Sequence, residues 1–190
     1  MSKAQILNSI SKNKPAQADL PVPQEIRKDR DMDLLQEFID KAEGAGSDTE
    51  NFDSFVKVGA WIKQQEKNGK SVTDLSQNSI GKDHPSTPAD DDEKVDMVVI
   101  RGQIGVAENG AVWIDEHDMQ IRKLPFLTSH LVLVLEKVRI TPDMHEAYKR
   151  VDLEQSGFGV FIAGPSKTAD IEQSLVIGAH GPIEHTILLY

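Results

Sequence analysis

The chain has 190 residues, 31 acidic against 21 basic, for a formal net charge of −10. That balance argues against general nucleic-acid binding, since phosphates need a basic face, and the length suits one good core rather than two full-sized domains. With no cysteine, the chain by itself can form no disulfide and hold no cysteine-ligated iron–sulfur cluster.

The start, Met1 to Leu7, has no apolar stretch of signal-peptide length. No later window approaches the ~20 apolar residues of a membrane span, so the expected compartment is the cytoplasm. Residues 1–31 are mostly polar, with Pro15, Pro21 and Pro23, and read as a poorly ordered arm with one short helix near Lys3 to Ile10. From Met32 the apolar positions Leu34, Leu35, Phe38, Ile39 and Ala42 fall at helical spacing, and Gly44 and Gly46 end the run. Phe52 to Lys67 repeats the pattern through Phe55, Val56, Val58, Gly59 and Ile62, closed by Asn68-Gly69. Both stripes suit packing on a sheet.

Ser71 to Leu75 fits a short strand. The stretch at about 77–94 has no apolar face and carries Gly81, Pro85, Pro88 and the run Asp90-Asp91-Asp92-Glu93. It reads as a long mobile loop whose charges are solvated and do not form a metal cradle. Val95 to Ile100 and Gly102 to Val106 read as strands, leading through a turn at Glu108-Asn109-Gly110 into a further strand, Ala111 to Ile114. His130 to Glu136 (HLVLVLE) is apolar on both faces, as in a parallel sheet covered on either side by helices. Thr141 then caps a helix with Pro142 at its first position, running to about Leu153. The next strand is the apolar run Gly159 to Gly164. Strand, helix, strand implies a right-handed crossover and a parallel pair.

The tail concentrates polar atoms. Gly164 leads into Pro165, Ser166, Lys167 and Thr168, with Asp170 and Glu172 beyond. Hydroxyls, carboxylates and loop N–H groups together make a candidate site. A second apolar run, Leu175 to Ile177, precedes His180, which stands between Gly178 and Gly181. On spacing alone the same strings are also ordinary turn chemistry. His130, His180, His185 and Asp170 raise the question of a metal. His180 and His185 are five apart across Pro182 and would not share a helix face, so a substrate carboxylate or a backbone carbonyl is the preferred partner. Neither a Gly-x-Ser-x-Gly elbow nor a Gly-rich nucleotide fingerprint is present. The alternation of elements points to an α/β sandwich with its site loops at the carboxyl ends of strands.

GPSKTADIE, then LVIGAHGP and a short apolar final strand, resembles the end of the lactate utilisation protein C family, the LUD-domain proteins. Upstream, Ala107-Glu108-Asn109-Gly110 with Val112 and Ile114 resembles that family's Ala-Glu-Thr-Gly segment. Leu124-Pro125 followed by His130 to Val134 resembles its LP…H segment. The resemblance covers roughly residues 95–190. Lys167 stands where the family has Arg, keeping the charge and losing the planar two-bond fork; Asn109 stands where Thr is usual.

The resemblance implies a three-layer α/β/α sandwich over residues 32–190 with a largely parallel central sheet, the fold shared by ribose-5-phosphate isomerase, glucosamine-6-phosphate deaminase and coenzyme A transferases. It implies an accessory subunit in the oxidation of L-lactate to pyruvate, with no cofactor in this chain and iron–sulfur clusters in partner subunits. It also implies one pocket in which Ser166, Lys167, Thr168, Asp170 and His180, with Glu108 from the neighbouring turn, meet a small carboxylate. Glu108-Asn109-Gly110 also looks like the segment bearing the nucleophilic glutamate of coenzyme A transferases. An acyl or coenzyme A transferase with Glu108 as nucleophile is therefore the alternative, and a plain hairpin turn is the simpler reading. A sugar-phosphate isomerase or deaminase using Glu108 or Asp170 as base is a third reading.

Overall fold

The structure, a computed structural model, describes residues 2–14, 33–77, 95–152, 156–169, 175–178 and 180–190, with the backbone alone at 168–169 and 175–176. The chain divides into two units, Met1–Asp31 and Met32–Tyr190. In the first, helix α1 (Lys3–Lys12) is closed by a capping box between Ser2 and Gln5 and buries no residue. The expected acidic loop lies, apart from residue 77, outside the described residues.

In the second unit the elements run α2 (Leu34–Gly44), β1 (Asp48–Asn51), α3 (Phe55–Lys67), β2 (Val72–Asp74), β3 (Met97–Arg101), β4 (Ile104–Val106), β5 (Ala111–Asp115), α4 (Glu116–Met119), α5 (Leu124–Leu127) and β6 (His130–Leu135). A turn of 3-10 helix follows, then β7 (Ile140–Thr141), α6 (Met144–Arg150), β8 (Gly159–Ile162), β9 (Lys167–Ala169), β10 (Leu175–Ile177) and β11 (Glu184–Leu189).

Five strands form the central sheet in the order β1-β11-β6-β3-β2, every neighbouring pair parallel. Strand β6 is buried at all six positions, and the alternation of side chains divides its residues between two layers. Leu131, Leu133 and Leu135 pack with Phe38 and Ala42 of α2, Met119 of α4 and Leu124 of α5. Val132 and Val134 pack with Val58 and Ile62 of α3. Helices on both faces of a parallel sheet are the three-layer α/β arrangement expected. Among the described residues no helix is long and apolar enough to cross a membrane.

A second sheet, β7-β4-β5-β8, lies on the α2 side, where Val112 and Ile114 of β5 join the larger apolar cluster. Here the structure corrects the expected crossover. Strand β8 does not pair in parallel with β6; it runs antiparallel to β5. The reason is where α6 packs: Ala147 is buried against Ile104, Val106 and Trp113 of the second sheet. Helix α6 therefore returns the chain to that sheet, and β8 is half-buried, with Phe161 against the Trp113 ring at 4.7 Å.

The same helix begins later than expected. Thr141 lies in β7 and donates its hydroxyl to Gly105 O, while the carboxylate of Asp143 caps the helix by accepting from Glu146 N at 2.9 Å. The polar strand β1 had no counterpart in the sequence reading. Nor is the Pro165–Ala169 stretch wholly a loop: Lys167 to Ala169 form β9, an antiparallel hairpin with β10.

Candidate functional site

In a parallel sheet all strands start along one edge, so whatever opens β6 and β11 must meet there. The register sets Glu184 beside His130 and His185 beside Leu131. Alternation sends His130, Glu184 and Thr186 to the α3 face and His185 to the α2 face.

On the first face the buried His130 ring is held at both nitrogens. Nε2 lies 2.8 Å from Thr186 Oγ1, and Nδ1 lies 3.1 Å from Glu184 Oε2 and 3.5 Å from Lys70 Nζ. The carboxylate beside Nδ1 assigns the proton to that nitrogen, leaving Nε2 to accept from the threonine hydroxyl. Burial lowers the basicity of His130, Glu184 opposing and Lys70 adding to it.

On the second face His185 is 1% exposed. Its Nδ1 is 2.8 Å from Ser47 Oγ, and Ser47 is fixed in turn by donating its N–H to Ala42 O at 3.0 Å. Nε2 of the ring has no hydrogen-bond partner among the described residues. Burial, with His130 adding, pushes the imidazole down to about 4, so the ring is neutral at pH 7. An orphaned polar atom in such surroundings costs about 1–3 kcal/mol.

The described parts of the predicted loops, residues 164–167, 178 and 180–183, lie at this same amino-terminal edge, not at the carboxyl ends of the central sheet's strands. The segment 178–183 precedes β11, and what precedes a strand of a parallel sheet sits at its start. Ile183 N and Glu184 N both donate to Ser129 O, just before β6. Ser166 joins the two loops: its N–H donates to Pro182 O and its carbonyl accepts from Gly178 N, each at 2.9 Å. A Cβ on Gly181 would lie 3.3 Å from Ser166 Oγ. At the opposite edge the ends of β3, β6 and β11 are closed by Arg101, Glu136 and Tyr190, whose hydroxyl lies 3.2 Å from Glu136 Oε1.

Gly164 sets the height of the loop over α2. Its φ is +77°, and a Cβ there would lie 2.2 Å from Ala45 O, so only glycine permits the approach. Lys167 then donates its ammonium to Ala45 O, a cation at the carboxyl end of a helix where the peptide dipoles favour it. The same ammonium lies 2.9 Å from where a Cβ of Gly46 would be, one residue before Ser47. His180 is exposed on the loop between β10 and β11. Thr168 pairs with Val176 in the hairpin. Asp170 lies outside the described residues.

Glu108 heads the β4–β5 hairpin as expected. Gly110, at φ +69°, brings that turn against α2: a Cβ would lie 2.4 Å from Ala42 N. Ala42 and Ala45 are about one helical turn apart, so the Glu108 turn and the Gly164–Lys167 segment dock on neighbouring turns of one helix. The Glu108 carboxylate, however, accepts from Met144 N at 3.1 Å and so caps α6. Ser166, Lys167 and the loop of His180 are thus brought together, while Glu108 is turned toward a helix end.

Sequence reasoning did not select Ser47, Lys70, Glu184 or Thr186, and weighed His130 and His185 only as metal ligands. Among the described residues no group of three or more His, Cys, Asp or Glu could hold a metal ion. A signal was present: both histidines open long apolar runs, and two neighbouring parallel strands must start side by side.

The LUD domain family model matches residues 26–190. The chain belongs to the LUD domain family. Its relatives include a lactate utilization protein C of Bacillus pumilus, 34% identical over 103 residues, covering 51% of this chain and 43% of the relative. The protein of that name from Oceanobacillus iheyensis is 29% identical over 117 residues, covering 58% and 48%, and that from Anoxybacillus flavithermus is 33% identical over 98 residues, covering 51% and 44%. This LUD-domain chain therefore spans somewhat less than half the length of these curated relatives. The crystal structure of a DUF162 family protein from Deinococcus radiodurans shares the LUD-domain chain's fold, with a TM-score of 0.58 at 17% identity, covering 82% of this chain and 95% of that one.

Proposed function

We propose that this LUD-domain protein serves L-lactate utilisation, as an accessory subunit beside partner chains that carry iron–sulfur clusters during oxidation of L-lactate to pyruvate. The observation that carries the reading is the family match over residues 26–190, taken with relatives named for lactate utilisation. Electron transfer falls to the partners because clusters are held by thiolates and this chain has none. The protein works in the cytoplasm. Its own contribution is to bind a small carboxylate through Ser166, Lys167, Thr168, Asp170 and His180. Ser166 and Lys167 support this, standing where two loops and the end of α2 meet. Deleting the gene from its own organism is expected to abolish growth on L-lactate while sparing growth on pyruvate. Unimpaired growth on L-lactate would remove the reading.

A further inference from the structure

We propose that Asn68 is a modification site: its side-chain amide closes on the peptide nitrogen of Gly69, loses ammonia and becomes a carboxylate beside Lys70. The matching pair Asn109-Gly110 is protected from the same reaction by the fold. The site stands independently of the functional reading above.

Both asparagines are exposed, so exposure does not separate them; their surroundings do. Asn68 ends α3. Gly69 is exposed too, and a Cβ there would meet nothing within 4 Å. Only the helix end holds the pair: Gly69 N donates to Glu66 O at 3.0 Å, Lys70 N to Gln65 O at 3.2 Å, and Gln64 Nε2 to Asn68 Oδ1 at 3.0 Å. The last turn of a helix frays at little cost. At the other pair, Asn109 Oδ1 accepts from Ala111 N at 3.0 Å, and Gly110 N donates to Val106 O at 2.8 Å. Gly110 is moreover buried, with Ala42 N 2.4 Å from where its Cβ would be, so its backbone has no space in which to swing.

The chemistry needs no partner but water. Gly69 N, freed from Glu66 O, attacks Asn68 Cγ and gives up its proton; the bond from Cγ to the side-chain nitrogen breaks, ammonia leaves, and a five-membered succinimide closes. Glycine suits the step because it has no side chain to obstruct the approach and accepts either sign of φ. Water then opens the ring. Breaking the bond from nitrogen to Cγ gives aspartate, breaking the bond to the main-chain carbonyl carbon gives isoaspartate, and nothing is oxidised or reduced. At Asn109 the same attack must first undo the hairpin turn and lift Gly110 off α2. At position 68 the product is a negative charge at the carboxyl end of α3, where the peptide dipoles disfavour it. It stands two residues from Lys70, whose ammonium lies 3.9 Å from Glu184 Oε2 and 3.5 Å from His130 Nδ1. The new charge therefore arrives at the amino-terminal edge, beside the buried histidine.

The test is incubation of the full chain at mildly alkaline pH, followed over time by mass spectrometry. Cleavage after glutamate releases residues 67–93 and 109–116, and fragmentation locates the exchange of NH2 for OH. In the folded chain Asn68 is expected to convert at least about tenfold faster than Asn109, a factor equivalent to about 1.4 kcal/mol of extra opening free energy at the docked hairpin. In guanidinium chloride the two should convert at like rates, because the protection of Asn109 lies in the fold. Asn68→Gln, whose longer side chain would have to close a six-membered ring, is expected to abolish the change at that position. Conversion of Asn109 as fast as Asn68 in the folded chain overturns the proposal. So does an Asn68 that reacts only in denaturant, or a gap between the two sites that persists there undiminished.

Discussion

Two titrations of opposite sign, one at buried His185 and one at half-buried Asp118, mask one another in this protein, and replacing Asp118 by Asn should expose the hidden one. His185 is pushed by burial from 6.5 to about 4. On acidification the unfolded chain takes up this proton first, so stability is full above pH 6.5 and lost as pH falls toward 4. At about 1.4 kcal/mol per pH unit, the gap amounts to about 3 kcal/mol.

Asp118 behaves in reverse. Its Oδ2 accepts from Gln103 Nε2 at 2.7 Å and from Asp115 N at 3.0 Å. Burial, with the neighbouring Asp115 charge adding, raises it from 3.8 to about 6. The folded state takes up this proton first, so stability is gained as pH falls through about 6, again by about 3 kcal/mol. Between pH 4 and 6 the two slopes cancel in the wild type. Asp118→Asn keeps an acceptor for both donors and removes one titration. Urea unfolding at a series of pH values should show the variant losing about 3 kcal/mol more than the wild type between pH 7 and pH 4. Wild-type and variant profiles that run parallel would refute the reasoning.

Gly110→Ala would set a methyl group 2.4 Å from Ala42 N at a φ of +69°. A loss of about 2 kcal/mol or more is expected in chemical unfolding, and a neutral effect would contradict the docking of the hairpin on α2. Glu108→Gln keeps an acceptor for Met144 N, so stability should change by less than about 1 kcal/mol. Incubated with acyl-coenzyme A and hydroxylamine, this variant and the wild type should give equal background hydroxamate. A Glu108-dependent excess would reinstate the transferase reading.

Local signals were readable wherever the chain decides its own conformation. HLVLVLE read as a strand buried on both faces, and Glu108-Asn109-Gly110 between two apolar runs read most simply as a tight turn. Polar strand β1 was invisible because Asp48, Thr49, Glu50 and Asn51 carry no strand pattern; pairing with β11 makes it a strand. The destination of β8 was equally hidden, since it depends on where the seven residues of α6 pack. At the site, Ser166 was found through the density of polar atoms around it and Lys167 through the family resemblance. Ser47 and His185 were not, because they are 138 positions apart and meet only through the sheet.

The outermost strand β1 also bears on how the protein avoids clumping. An open sheet margin invites another chain to zip onto it. Here the margin is dressed with like charges, Asp48 and Glu50, and secured on both sides. Thr49 donates its hydroxyl to Glu43 at 2.6 Å, and the Trp61 indole donates to Glu50 at 2.7 Å. A would-be intruding strand would meet two carboxylates and displace side chains anchored to the helices above and below. The layer of strands therefore stops growing at its own border.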